Sequence, residues 1–198
     1  MAQILAFGNS KQAKTPPLSN KTKILSFDLE TNGLHGEAFA AGAVLVDVQG
    51  KILDQFTGRT KITGPVDSWV ERNVLPAIKD MPITHKTYKD LREDFWRWFV
   101  PAETASDYVL VSNGYPVEYR FLLKCQEENL EERYWQHPFP ILDLFSLLIQ
   151  AGDEPSTKNK LLKKVMQSHS FTPHDPLDDA KATALAAFHA FKITGRIT

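Results

Sequence analysis

Lys23-Ile24-Leu25-Ser26-Phe27-Asp28-Leu29-Glu30-Thr31 is the run around which the rest of the chain is arranged. Leu25, Phe27 and Leu29 alternate with Ile24, Ser26, Asp28 and Glu30, the period of a β-strand whose successive side chains point to opposite faces of a sheet. Asp28 and Glu30 therefore share a face. Two acids one strand pitch apart repel each other and are costly beside an apolar layer unless they are protonated, solvated or bridged by a cation. A hard divalent metal is the simplest bridge, because it prefers oxygen ligands. Taken alone, such a pair also suits the solvated end of a half-exposed strand, so partners elsewhere in the chain must decide.

Downstream, Asn32-Gly33 supplies a turn, and residues 38–47 and 51–60 read as two further strands joined at Val48-Gln49-Gly50. The three make an antiparallel meander. Residues 69–78 suit a short helical segment interrupted by Pro76. A stronger helix is expected over 84–99, where Tyr88, Leu91, Phe95 and Trp98 recur at helical spacing and Lys86, Lys89 and Arg92 suit a solvated face. Residues 108–112 form a short apolar run bounded by Asn113-Gly114, which reads as a buried strand. Pro116 then suits the first turn of a helix reaching about residue 130, with Glu118, Phe121, Leu122 and Cys125 on one side. Pro140-Ile141-Leu142 reads as a last strand, with Asp143 placed to cap a helix over 144–151. A helix over 157–168 carries Lys158, Lys160, Lys163 and Lys164, either a solvated face or a track for a phosphate backbone. A meander followed by strands alternating with helices predicts an α/β domain built on a mixed five-stranded sheet.

The C-terminal segment His174-Asp175-Pro176-Leu177-Asp178-Asp179-Ala180 opens a helix, since Asp175 can cap it and Pro176 suits its first position. Stepping about 100° per residue, Leu177, Ala180, Ala184, Ala187, Phe188 and Phe191 form an apolar stripe. Asp178, Lys181, His189 and Lys192 form a polar face interrupted by Leu185. Asp179 instead lies in line with Thr183, Ala186 and Ala190, with Ala182 and Ile193 alongside, small residues suited to close approach by another element. An acid in that line needs a partner.

Composition narrows the classes. The chain has 198 residues, enough for one domain with a full core. A formal charge of -1 carries no global signature of nucleic-acid binding, so any such contact must come from a local patch. A single cysteine, Cys125, excludes an internal disulfide and a thiolate metal cluster. No apolar run reaches the length of a membrane span, and the N-terminus lacks the order of a signal peptide. A cytoplasmic setting is the expectation. Residues 1–22 mix Ile4-Leu5-Ala6-Phe7 with Lys11, Lys14, Lys21 and a Pro16-Pro17 pair, which suits a flexible or loosely docked leader ahead of a domain over 23–198.

Together these pieces resemble the DEDDh branch of the DnaQ-like 3′-5′ exonucleases, a family on the ribonuclease H-like fold. Phe27-Asp28-Leu29-Glu30-Thr31-Asn32-Gly33-Leu34 matches its first motif, Asp-x-Glu-Thr-x-Gly-Leu. His174-Asp175-Pro176-Leu177-Asp178-Asp179-Ala180 matches its third, in which a histidine precedes the last metal-binding aspartate by five positions. The middle motif departs. Where the family has an aspartate a few residues after an Asn, Asn113-Gly114-Tyr115-Pro116-Val117-Glu118-Tyr119-Arg120-Phe121-Leu122 places Glu118, with one extra residue before it. A second departure is Ala40-Ala41-Gly42-Ala43-Val44, where the family often has an acid before Gly-Ala-Val.

The resemblance implies a metal-dependent nuclease that shortens single-stranded DNA or RNA from its 3′ end. Two Mg²⁺ or Mn²⁺ ions would be held by Asp28, Glu30 and Asp179, with Asp28 bridging and Glu118 contributing directly or through water. His174 would be the general base, and Thr31, Leu34, His35 and Asn113 would hold the terminal nucleotide, Leu34 as an apolar wedge. Gln3-Ile4-Leu5-Ala6-Phe7 faintly resembles the peptides by which replication proteins bind a sliding clamp, and a docking leader suits a polymerase or DNA-processing complex. The competing expectation is a nucleic-acid-binding or adaptor module that has lost catalysis, motivated by Glu118.

Overall fold

The computed structural model of the chain describes residues 17–19, 21–104, 108–113, 116–136, 140–153 and 160–197. Most of the expected leader, its clamp-binding-like run included, lies outside them, as does Lys158. The end of that leader is docked: the Leu18 N–H donates to the Arg196 carbonyl at 2.6 Å, and Leu18 packs against the core.

The strands are β1 (Lys23–Thr31), β2 (Ala38–Asp47), β3 (Ile52–Arg59), β4 (Tyr108–Ser112) and β5 (Ile141–Asp143), in one five-stranded sheet of order β3-β2-β1-β4-β5. β1 pairs antiparallel with β2 and parallel with β4, and β4 pairs parallel with β5. This is the mixed sheet expected of a ribonuclease H-like domain, with the acid-bearing strand at its centre. The alternation along β1 sorts its residues as the pattern requires. Leu25, Phe27 and Leu29 enter one core with Phe95, Phe99, Phe121 and Leu122, while Ile24 enters the other with Ala180, Ala184 and Ala187.

The first of these faces is covered by α2 (Tyr88–Thr104) and α3 (Val117–Glu127). Phe27, Phe95 and Phe121 interlock there at ring separations of 5.4 and 5.0 Å, the tilted and edge-on arrangements that aromatic quadrupoles favour. α2 starts later and ends later than its periodicity predicts. Thr84 and His85 donate their N–H groups to the Arg59 carbonyl, extending the edge of β3, and a reciprocal Thr87–Asp90 capping pair then starts the helix. The helix runs through Pro101 to Thr104. Arg92, expected on a solvated face, is instead 14% exposed and ion-paired to Glu128 and Glu37, because α3 and the start of β2 close over it.

The other face is covered by α5 (Leu144–Gln150), α6 (Lys160–His169) and α7 (Pro176–Ile193). Asp143 caps α5 by accepting the Ser146 N–H at 2.8 Å, and Asp175 caps α7 by accepting from Leu177 and Asp178. Thr183, Ala186, Ala190 and Ala182 of the small-residue stripe are buried, as are Ala180, Ala184, Ala187 and Phe191 of the apolar stripe, since the helix is covered by the sheet, α5 and α6. Ile193 departs from its stripe, at the last position of the helix, and is 62% exposed. A short α1 (Ser68–Asn73) packs with Phe39 and Ala40 at one end of the sheet, and a one-turn α4 (Leu130–Arg133) follows α3. Among the described residues no helix is long and apolar enough to cross a membrane.

Candidate active site

β1 carries Asp28 and Glu30 to the end of the sheet where it and the parallel β4 finish, the edge at which open α/β sheets form ligand crevices. Asp28 lies opposite Gly42 in the β1–β2 ladder. A Cβ at Gly42 would stand 2.2 Å from Leu177 N and 2.3 Å from Pro176 C, so the first turn of α7 lies directly on that glycine. This close approach brings Asp179 beside the strand acids. The absence of a side chain at Gly42 is thus what the site needs geometrically.

Glu30, His174 and Asp179 offer donor atoms that all lie within 4.8 Å of one another, and His174 Nδ1 is 3.7 Å from Glu30 Oε1. The Asp179 carboxylate also accepts the His174 backbone N–H at 2.8 Å, tying the histidine loop to α7. Glu118, in the first turn of α3, is 3% exposed and faces the same cleft. Its Oε2 and the Asn113 Oδ1 are buried without a hydrogen-bond partner. The extra residue before Glu118 and its extra methylene therefore still place a carboxylate at the site.

Charge is concentrated here. Burial pushes Asp28 well above the usual carboxylate range, and the charges of Asp179, Glu118, Glu30 and Asp175 push the same way. Burial, with the same kind of repulsion, raises Glu30 to about 8. Burial takes Glu118 to about 7 against the opposing pull of its backbone N–H, Arg120 and Ser112. Asp179 also rises to about 7, chiefly through burial, and its bond to the His174 N–H opposes the rise. An all-oxygen cluster with two unpartnered buried acceptors fits hard divalent cations.

No protein-family model matches the chain, and no curated protein matches its sequence. Solved structures do match. The nuclease domain of 3′hExo, a DEDDh family member, bound to rAMP, superposes with a TM-score of 0.62 at 15% identity, over 93% of this chain and 98% of that one. The zinc-bound form of the E. coli ExoI–ssDNA complex gives 0.63 at 16% identity, over 89% of this chain and 42% of that one. Exonuclease I from Methylocaldum szegediense gives 0.57 at 17%, over 84% and 40%. The chain has the fold of the DEDDh exonucleases. It spans about two-fifths of the Exonuclease I chains and nearly all of the 3′hExo nuclease domain.

The acids open onto a cleft of about 1060 Å³. Thr31, Leu34 and Asn113 line it, with Leu34 74% exposed. His35 is not brought into that cleft. It lies in a neighbouring small hollow with Arg120 and Lys124, its Nδ1 3.4 Å from Arg120 Nη1, while another Arg120 nitrogen holds the Leu34 carbonyl. The cleft also contains residues that sequence reading did not single out. Asp67, Phe145 and Trp69 line it, and Trp69 packs edge-on against His174. Asp175, read only as a helix cap, adds its negative field to Asp28, Glu30 and Asp179.

These carboxyls hold their protons to higher pH in the folded protein than in the unfolded chain. Between the ordinary carboxylate range near 4 and about 8, the folded state therefore binds more protons, and stability falls as pH rises. His174 and His189, whose pKa values burial lowers, act in the opposite direction, but they are two groups against four. The metal-free chain is expected to melt at a higher temperature at about pH 5.5 than at about pH 8, with Mn²⁺ restoring more stability at the higher pH. Each pKa unit relieved at a buried carboxyl such as Glu30 or Glu118 is worth about 1.4 kcal/mol, or about 3–6 °C in a chain of this size. Thermal unfolding at both pH values, with and without Mn²⁺, checks this; a melting temperature that rises with pH would contradict it.

Proposed function

We propose that the chain is a metal-dependent 3′-5′ exonuclease that removes nucleoside 5′-monophosphates from the 3′ end of single-stranded DNA or RNA. The observation that carries this reading is the convergence of Asp28, Glu30, Glu118 and Asp179 in one cleft, with His174 3.7 Å from Glu30. Asp28, Glu30 and Asp179, with Glu118, would hold two Mg²⁺ or Mn²⁺ ions. When bound, such ions supply Lewis acidity at phosphorus and stabilise the departing oxygen.

His174 takes a proton from the attacking water. Burial lowers its pKa, which favours the neutral imidazole, the form able to take a proton. Water adds to the terminal phosphorus, the bond to the 3′-oxygen of the preceding nucleotide breaks, and that oxygen takes up a proton. Thr31, Leu34 and Asn113 border the terminal nucleotide, Leu34 against its base. His35 and Arg120, in the adjoining hollow, contact the next phosphate. We place this activity in the cytoplasm, with the 1–22 leader as the segment that docks on a polymerase or DNA-processing complex.

The unpartnered Glu118 oxygen inside the cleft supports this reading over a binding module that has lost catalysis. The test is incubation with 5′-labelled single-stranded DNA, and separately RNA, in Mg²⁺, Mn²⁺ or EDTA, with products resolved by length. A ladder shortening from the 3′ end only with metal is expected. Intact oligonucleotides in every lane, with binding still measurable, would make the chain a binding module on a nuclease fold.

A further inference from the structure

We infer that Trp69 is the positioning residue for the His174 imidazole. His174 sits on left-handed backbone, φ 66°, a region that residues other than glycine enter infrequently. Its main chain is anchored through the bond to Asp179. Its ring is not: among the described residues no hydrogen bond holds it, and Glu30 Oε1, at 3.7 Å, is beyond hydrogen-bonding distance. The contact that remains is aromatic. The Trp69 and His174 ring centroids are 5.2 Å apart with planes at 90°, the edge-to-face geometry in which aromatic rings attract.

Trp69 is in turn held by a polar chain that returns to the acid strand. Asn32, two residues beyond Glu30, accepts the Asp67 N–H at 2.8 Å and donates to the Pro65 carbonyl at 2.9 Å. Asp67 Oδ1 accepts the Trp69 N–H at 2.8 Å, and Asn73 donates to the Trp69 carbonyl at 2.8 Å. The strand end that carries Glu30 and the main chain of Trp69, whose indole meets the imidazole, are therefore linked. Trp69 is also 51% exposed on the cleft wall. Its place on α1, away from both acid motifs, sets the histidine against the acids without touching phosphorus.

The kinetic part of this inference rests on the exonuclease reading, and the spectroscopic part does not. In the full chain, Trp69→Ala is expected to lower kcat on single-stranded DNA by about three- to tenfold, the weight that one edge-to-face aromatic contact carries, with KM within about twofold. Trp69→Phe restores kcat. The His174 ring resonances, assigned by their loss in His174→Ala, are expected to shift in Trp69→Ala as the ring current is removed and to broaden as the imidazole samples other orientations. Parent-like kcat in Trp69→Ala, or a rise in KM alone, would overturn the assignment and make Trp69 a platform for a base. Should the parent itself release no nucleotide, the exonuclease reading fails on its own account, and unmoved His174 resonances in Trp69→Ala would then refute the positioning contact, while shifted ones would sustain it.

Discussion

His174→Ala is expected to slow nucleotide release by about 10²–10⁴-fold, the contribution of a positioned general base, while Mn²⁺ and single-stranded DNA still bind within about threefold of the parent. The side chain is 40% exposed and makes no hydrogen bond among the described residues, so its loss removes chemistry rather than core. Its backbone is the complication. At φ 66° any residue with a Cβ is disfavoured by about 1–2 kcal/mol, alanine enters that region less readily than histidine or asparagine, and a displaced loop would mimic a lost base. His174→Asn separates the two effects, because asparagine tolerates left-handed backbone and yet cannot take the proton at neutral pH. Equal losses in both variants, in single-turnover assays at saturating metal, would identify the imidazole as the missing group. Substantial activity in His174→Asn would assign proton removal to another group.

The second large effect is expected at a residue with no side chain. In Gly42→Ala the new Cβ falls 2.2 Å from Leu177 N and 2.4 Å from Leu177 Cα, against backbone on a capped helix. Neither partner can yield by changing rotamer. β2 is paired on both sides, and the first turn of α7 is pinned by Asp175 and by the bond from the His174 N–H to Asp179. Overpacking of this kind costs about 2–4 kcal/mol, which lowers the melting temperature by about 6–12 °C. The function is expected to suffer more than the fold. Pushing α7 outward by about 1 Å carries Asp179 and His174 away from Asp28 and Glu30, a misplacement that costs on the order of a hundredfold in rate. Thermal unfolding and Mn²⁺ titration of Gly42→Ala check both parts. Metal affinity unchanged in a folded, destabilised variant would show that the acids are not held together by this contact.

Much of this geometry is readable from local pattern. The period of two over residues 23–31 places Asp28 and Glu30 on one face, and that is the face against which α7 packs. The helical period after Pro176 separates Asp179 from Asp178, and the structure puts Asp179 at the cleft while Asp178 accepts the Thr172 N–H and pairs with Lys181. Capping chemistry marks the starts of α5 and α7 correctly, because a cap is a contact between residues two or three positions apart. The same logic was available at Thr87-x-x-Asp90, where it marks the true start of α2 more sharply than aromatic spacing does.

What pattern misses is set by partners distant in the chain. Arg92 reads as solvated until Glu128, at the end of α3, and Glu37, just before β2, reach it. His35 sits beside the first acid motif and yet turns to Arg120 in a separate hollow. Trp69 follows a helix cap in an unremarkable segment, and only the fold sets it against His174, over a hundred positions later. The raised carboxyl pKa values have the same origin, since burial and charges from three elements combine at one point.

Local sequence therefore determined the elements, the face of each acid and the choice between adjacent aspartates, because periodicity and capping act over a few residues. Tertiary structure alone decided that the acids meet, that Gly42 is the spacer which lets them, and that an indole from α1 borders the imidazole, because each depends on backbone approach between elements whose separation no local pattern encodes.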